Sequence, residues 1–153
     1  MMRSFLLSLL LSSSLLAAVS SMGGTWMLNE QRSRFGDNVH PGQVVLTIQH
    51  DEPKFKYTGT VNNPPEGYIN DFSFDGAIDG KEYVSKQDNR GDRKVTFRRV
   101  NNRVVESVTT ASEGEIRSRI TMSRDGNTLE RTMTLRGTDG KTRNWVEIYE
   151  KKK

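Results

Sequence analysis

Cysteine is absent from this chain, histidine occurs twice and proline four times. Without cysteine there are no disulfide staples, thiolate metal sites, iron–sulfur clusters or cysteine nucleophiles. Two histidines leave almost no material for a histidine metal cage. Charge of one sign is also scarce: 23 Lys and Arg stand against 19 Asp and Glu, a net charge of +4 spread along the chain. No basic block of the kind that grips phosphates precedes the terminal Lys151-Lys152-Lys153, so nothing points to nucleic acid. A Gly-rich phosphate loop, a Gly-x-Ser-x-Gly elbow and a Ser/His/Asp set are all missing. The residues imply no cofactor, no metal and no catalytic group, and 153 of them suit one compact domain.

The one long hydrophobic run lies at the start. Arg3 is followed by Phe5 to Leu11 and Leu15-Leu16-Ala17-Ala18, and Ala18-Val19-Ser20 places small residues where a signal peptidase reads. Residues 1–21 are expected to be an export signal. A membrane anchor fits less well, because Ser12-Ser13-Ser14 interrupts the run and no basic flank stops transfer. The expected product is one domain, residues 22–153, in the bacterial periplasm or outside the cell, without stable membrane insertion. An exported domain lacking disulfides holds together by burial and strand pairing alone.

After Ser21 no stretch sustains apolar residues at helical spacing. Short runs of Val, Ile, Thr, Phe and Tyr recur instead, separated by Gly, Asn, Asp and Pro. The pattern predicts about ten strands, near 24–31, 43–50, 53–61, 68–75, 81–85, 93–100, 103–110, 115–123, 128–136 and 142–150. Asn101-Asn102 and Asp125-Gly126 read as hairpin turns, since these residues tolerate positive φ.

Those turns dictate a register. A turn at Asn101-Asn102 sets Val95, Phe97 and Arg99 against Val108, Glu106 and Val104. One at Asp125-Gly126 sets Ile116, Ser118, Ile120 and Met122 against Leu135, Met133, Arg131 and Leu129. A turn at Thr138-Asp139-Gly140 sets Leu129, Arg131, Met133 and Leu135 against Tyr149, Glu147, Trp145 and Arg143. The more apolar parity meets its like in each hairpin, and a slip by one residue would destroy that agreement. A ten-strand sheet with one apolar face closes naturally into an all-β, up-and-down antiparallel barrel, which removes its edges. A two-sheet sandwich shows the same alternation, but short connections favour the barrel.

Gly23-Gly24-Thr25-Trp26 near the start and Glu147-Ile148-Tyr149 near the end then gain meaning. The chain resembles the calycin superfamily of lipocalins and fatty-acid-binding proteins, whose first strand opens with Gly-x-Trp. Gly24 to Asn29 followed by Ser33-Arg34-Phe35 looks most like exported bacterial lipocalin-like proteins. The resemblance implies that Trp26 packs across the barrel floor under a basic residue from near the C-terminus, Arg143 or Arg136. It also implies a departure: where the fatty-acid-binding group carries Arg-x-Tyr, Tyr149 matches and Glu147 does not. A carboxylate there repels another carboxylate. The family's helical lid has no counterpart in the dozen or so residues from Gln31 to Gly42.

The inward parity expected from the register holds Arg99, Glu106, Arg131 and Glu147, with Arg131 across from Glu147. Charges inside a barrel are costly unless paired or wet. They form either a polar patch that positions a head group or a self-satisfied pair at the rim. Phe55, Tyr57, Phe72, Phe74, Phe97, Trp145 and Tyr149 fall on matching parities, as pocket wall or as packed core. His50-Asp51-Glu52 sits in a turn before Pro53 without a second histidine, and reads as structural. Arg90-Gly91-Asp92 is too short a motif to carry a function.

The leading expectation is a monomeric, non-enzymatic carrier of a small hydrophobic or amphipathic molecule. Its ligand-binding residues are Phe97, Arg99, Glu106, Arg131, Trp145, Glu147 and Tyr149, with Gly24, Trp26 and Arg143 as structural signature. The competing expectation is a packed barrel serving as an interaction module, with exposed apolar residues around Val61 to Tyr68. An enzyme would need a perturbed acid in a cleft, and Glu106 is its only candidate.

Overall fold

Alternating inward and outward side chains, punctuated by turn residues, produce ten strands in the computed structural model, which describes residues 18–153. The apolar run of the expected export signal lies outside the described residues. The strands are β1 (Gly24–Leu28), β2 (Gln43–Asp51), β3 (Lys54–Asn62), β4 (Asp71–Ala77), β5 (Glu82–Gln87), β6 (Arg93–Asn101), β7 (Val104–Ala111), β8 (Gly114–Met122), β9 (Thr128–Gly137) and β10 (Thr142–Lys151). Each pairs antiparallel with the next, and β1 pairs with β10, so the sheet is a closed barrel rather than a sandwich. No helix occurs among the described residues.

Two of the three hairpin registers stand as read from the sequence. Ile116 pairs with Leu135, Ile120 with Arg131, Arg131 with Glu147 and Trp145 with Met133. The third is off by one. Asn101 pairs with Val104, so the turn is Asn102-Arg103, and a bulge between Arg99 and Asn101 shifts the ladder. Phe97 therefore faces Ser107 and Arg98 faces Glu106. That single residue turns Glu106 outward, where its carboxylate binds Arg98 and Arg119 at 2.9 and 2.7 Å. It is no interior acid.

Strand pairing is uneven around the ring. β4 meets β5 only from Phe72 to Phe74, and β1 meets β10 only from Trp26 to Leu28. Beyond Leu28 the connection to β2 climbs beside β10, bridging it at Arg34–Val146 and again through Asn38.

The core spans the barrel interior, from Met22 and Trp26 at the base to Val61 and Ile69 near the mouth. Phe97, 3% exposed, lies amid Phe55, Phe74 and Tyr57, with ring centroids 5.2, 4.9 and 6.4 Å away. Edge-to-face rings of this kind add about 0.5–1.5 kcal/mol per pair beyond their burial. Trp26 and Met22 are fully buried at the base, and the Trp26 indole N–H donates to the Met22 carbonyl at 2.9 Å. The cation above Trp26 is Lys151, its Nζ 5.3 Å from the ring centroid. Arg143 is at the opposite end of β10, bound to Asp139 at 2.6 Å, and Arg136 is exposed. The terminal lysines thus include the floor's cation. Gly24 has φ +135°, and a Cβ there would come within 2.6 Å of the Lys151 side chain. The Gly-x-Trp pair makes room for that lysine.

Val61 is 4% exposed and Tyr68 packs against the core, so the expected exposed cluster between them does not exist. The exposed valines, Val19, Val39, Val84 and Val100, are scattered along the chain.

Candidate ligand-binding site

Beside the aromatic layer the barrel is hollow. A cavity of about 340 Å³ runs down its interior, from Phe35 and Val39 at the mouth to Ile48 and Met22 near the floor, within the size range of roughly 300–1,000 Å³ seen for small-molecule sites. Its walls are mostly apolar, including Leu46, Phe55, Tyr57, Phe72, Phe97 and Ile120. Phe35, Val39 and Pro41 from the β1–β2 connection, Tyr68 and Ile69 from the β3–β4 loop, and Arg90 from the β5–β6 loop border the mouth. The Arg90 guanidinium stacks 5.1 Å from the Tyr68 ring centroid.

Inside is one polar constellation. Arg131 on β9 pairs with Glu147 on β10, Nη1 to Oε2, at 3.5 Å. The Trp145 indole N–H donates to Glu147 Oε1 at 2.9 Å, and the Tyr149 hydroxyl donates to Oε2 at 3.0 Å. Trp145, Glu147 and Tyr149 alternate along β10, so strand geometry alone puts all three on one face. Glu147 is 8% exposed yet holds three donors. Arg131 is poorly bonded by contrast. Its Nε has no partner, and two other buried polar atoms bordering the cavity, Arg93 Nε and Gln87 Oε1, also lack one.

The charges act on one another. Burial opposes the Arg131 charge, but the Glu147 carboxylate, then the surrounding phenols, raise its pKa above the ordinary value. Burial, reinforced by the Glu147 charge, pushes the Tyr149 hydroxyl well above 10. Burial raises Tyr57 too. The phenols at neutral pH are therefore uncharged donors, and the guanidinium is charged.

Phe97, Arg131, Trp145, Glu147 and Tyr149 all border this cavity. Glu106 and Arg99 do not. Arg99 keeps the inward parity but lies at the base of β6, below the aromatic layer. There it binds Glu52 at 2.5 Å, while His50 Nε2 contacts the same carboxylate at 2.6 Å. Met22 N–H donates to His50 Nδ1 at 3.0 Å, so this cluster ties the segment before β1 to the floor. Burial opposes ionisation of Glu52, and the Arg99 and His50 hydrogen bonds and charges together hold its pKa below the usual carboxylate value. The sequence pattern missed this cluster because Arg99 lies 47 residues from Glu52. It also missed Arg93, which faces inward and pairs with Glu113 beside the mouth; the β6 alternation running Arg93, Val95, Phe97 was the available signal.

The barrel has the fold of the fatty-acid-binding proteins. A Schistosoma mansoni fatty-acid-binding protein in complex with arachidonic acid superposes with a TM-score of 0.64 at 16% identity, covering 89% of this chain and 99% of that one. Zebrafish ileal bile-acid-binding protein complexed with cholic acid gives 0.58 at 16% identity, covering 87% and 100%. No protein-family model and no curated protein matches the chain. The β1–β2 connection, residues 29–42, holds no helix.

Proposed function

We propose that this protein is an exported, monomeric carrier that holds a small hydrophobic or amphipathic molecule inside its barrel. The observation that carries the reading is the cavity of about 340 Å³, apolar in its walls and with an under-bonded guanidinium in its depth. Apolar burial supplies affinity, at roughly 25 cal/mol per Å² removed from water. The polar constellation on β9 and β10 orients the guest. The structural neighbours that hold arachidonic acid and cholic acid support a hydrophobic guest. A filled barrel acting purely as a scaffold leaves the cavity without a role. Export rests on the N-terminal pattern, and N-terminal sequencing of the protein recovered from the export compartment tests it, with a new terminus expected near Ser21.

Uptake of Nile red, a neutral hydrophobic dye, tests the carrier reading, with energy transfer from Trp145 as the local readout. Ile120→Trp fills the cavity and is expected to lower dye affinity about tenfold or more. Equal uptake by both proteins, with no response from Trp145, would remove the carrier reading.

A further inference from the structure

The chemistry of the Arg131 site narrows the guest, and this step rests on the carrier reading above. We infer that the buried polar group of the ligand is a neutral hydrogen-bond acceptor, such as an ester, amide or aldehyde carbonyl, and not a free carboxylate.

The argument begins with what each member already has. Glu147 accepts from the Trp145 indole, the Tyr149 hydroxyl and the Arg131 guanidinium, so its carboxylate is well supplied with donors. Arg131 makes one hydrogen bond, a long one at 3.5 Å, and its Nε makes none. A guanidinium carries five N–H donors and no acceptor. A third of the Arg131 side chain is exposed, and it borders the cavity. The site therefore lacks acceptors, not donors.

The charge balance decides which acceptor. Arg131 and Glu147 already neutralise each other, and Arg93 is neutralised by Glu113. A guest carboxylate beside Arg131 would put two anions on one cation in a desolvated pocket. Each would weaken the other's bond, as like charges sharing a buried site do. A neutral carbonyl takes the unused N–H donors and adds no charge. Arg90 is the remaining cation on the lining, at the mouth, where it lies over Tyr68. It is not placed to serve a head group buried at Arg131.

The test compares guests of one chain length at neutral pH: dodecanoic acid, methyl dodecanoate and dodecanamide, each displacing Nile red. The wild-type protein is expected to bind the ester and the amide at least about tenfold more tightly than the acid. Glu147→Gln removes the competing anion and keeps the side chain's shape, and is expected to reverse the order in favour of the acid. Arg131→Met is expected to abolish the advantage of ester and amide over unsubstituted dodecane. Urea unfolding of each variant establishes that it is folded. Acid bound as tightly as ester by the wild type, or an order unchanged by Glu147→Gln, would overturn the neutral-acceptor inference and leave the carrier reading standing. Failure of every guest, and of the dye itself, would overturn both.

Discussion

Phe97→Ala probes whether the aromatic layer supports the cavity wall. Phe97 is 3% exposed and touches three rings, with centroids from 4.9 to 6.4 Å. Truncating a buried Phe to Ala ordinarily costs about 3–5 kcal/mol, the sum of lost transfer energy and the hole left behind. Here the hole opens into an existing cavity, because Phe97 also borders that space. Water can enter from that space, so the lower end applies, about 3 kcal/mol. In a domain of this size that loss lowers the melting midpoint by roughly 10 °C. Urea unfolding followed by tryptophan fluorescence measures it. The slope m is expected to stay constant while the midpoint falls by about 1–2 M. Val100→Ala, at an exposed outer position, serves as control and should cost under about 0.5 kcal/mol. A Phe97→Ala loss below about 1 kcal/mol at unchanged m would refute the reasoning. It would mean that the ring lines open space and anchors nothing.

Two further outcomes follow from the base of the barrel. Lys151→Met removes the cation over Trp26 and is expected to cost about 1 kcal/mol in urea unfolding, whereas Arg143→Met leaves the midpoint in place; the reverse order would restore Arg143 as the partner of Trp26. Glu52 has a lowered native pKa, so its contribution is present above the ordinary carboxylate value near 4.5 and is lost as pH falls through the native value. Glu52→Gln is therefore expected to be less stable than wild type at neutral pH, by about 1 kcal/mol or less. The two should converge in acid, and a constant gap across the titration would contradict this assignment.

The barrel was legible because its evidence is local. Alternation, Asp125-Gly126 and Thr138-Asp139-Gly140 dictate the β8–β9–β10 register, and with it the meeting of Arg131 and Glu147. The β6–β7 register was not legible, because a bulge beside Asn101 leaves no mark in an alternating pattern. Its consequence was confined to parity: Glu106 changed faces while Phe97 and Val95 kept theirs. Nor did the pattern reveal which groups close the floor. His50 on β2, Glu52 in the β2–β3 turn and Arg99 on β6 are far apart in the chain, and only the β1–β10 pairing brings Lys151 over Trp26. Depth along the barrel, which separates Arg99 at the base from Arg131 in the cavity, is a property of the closed ring and not of any one strand.

The uneven pairing described for the ring has a mechanical meaning. Short ladders at β4–β5 and β1–β10 divide the wall into two leaves, one of β1 to β4 and one of β5 to β10. Longer ladders stiffen the hairpins β2–β3, β8–β9 and β9–β10 within those leaves. Polar anchors and rings are distributed between them: Arg131, Trp145, Glu147 and Tyr149 belong to the second leaf, and Phe55, Tyr57 and Phe72 to the first. The two seams are unequal: β1–β10 is laced further by Asn29, Ser33 and Arg34 against Ile148 and Val146, whereas the three pairs of β4–β5 are extended by the Asp88 N–H on the Asp71 carbonyl. The wall is thus laced along one seam and lightly stitched along the other, with the polar anchors carried on one leaf and the aromatic lining divided between the two.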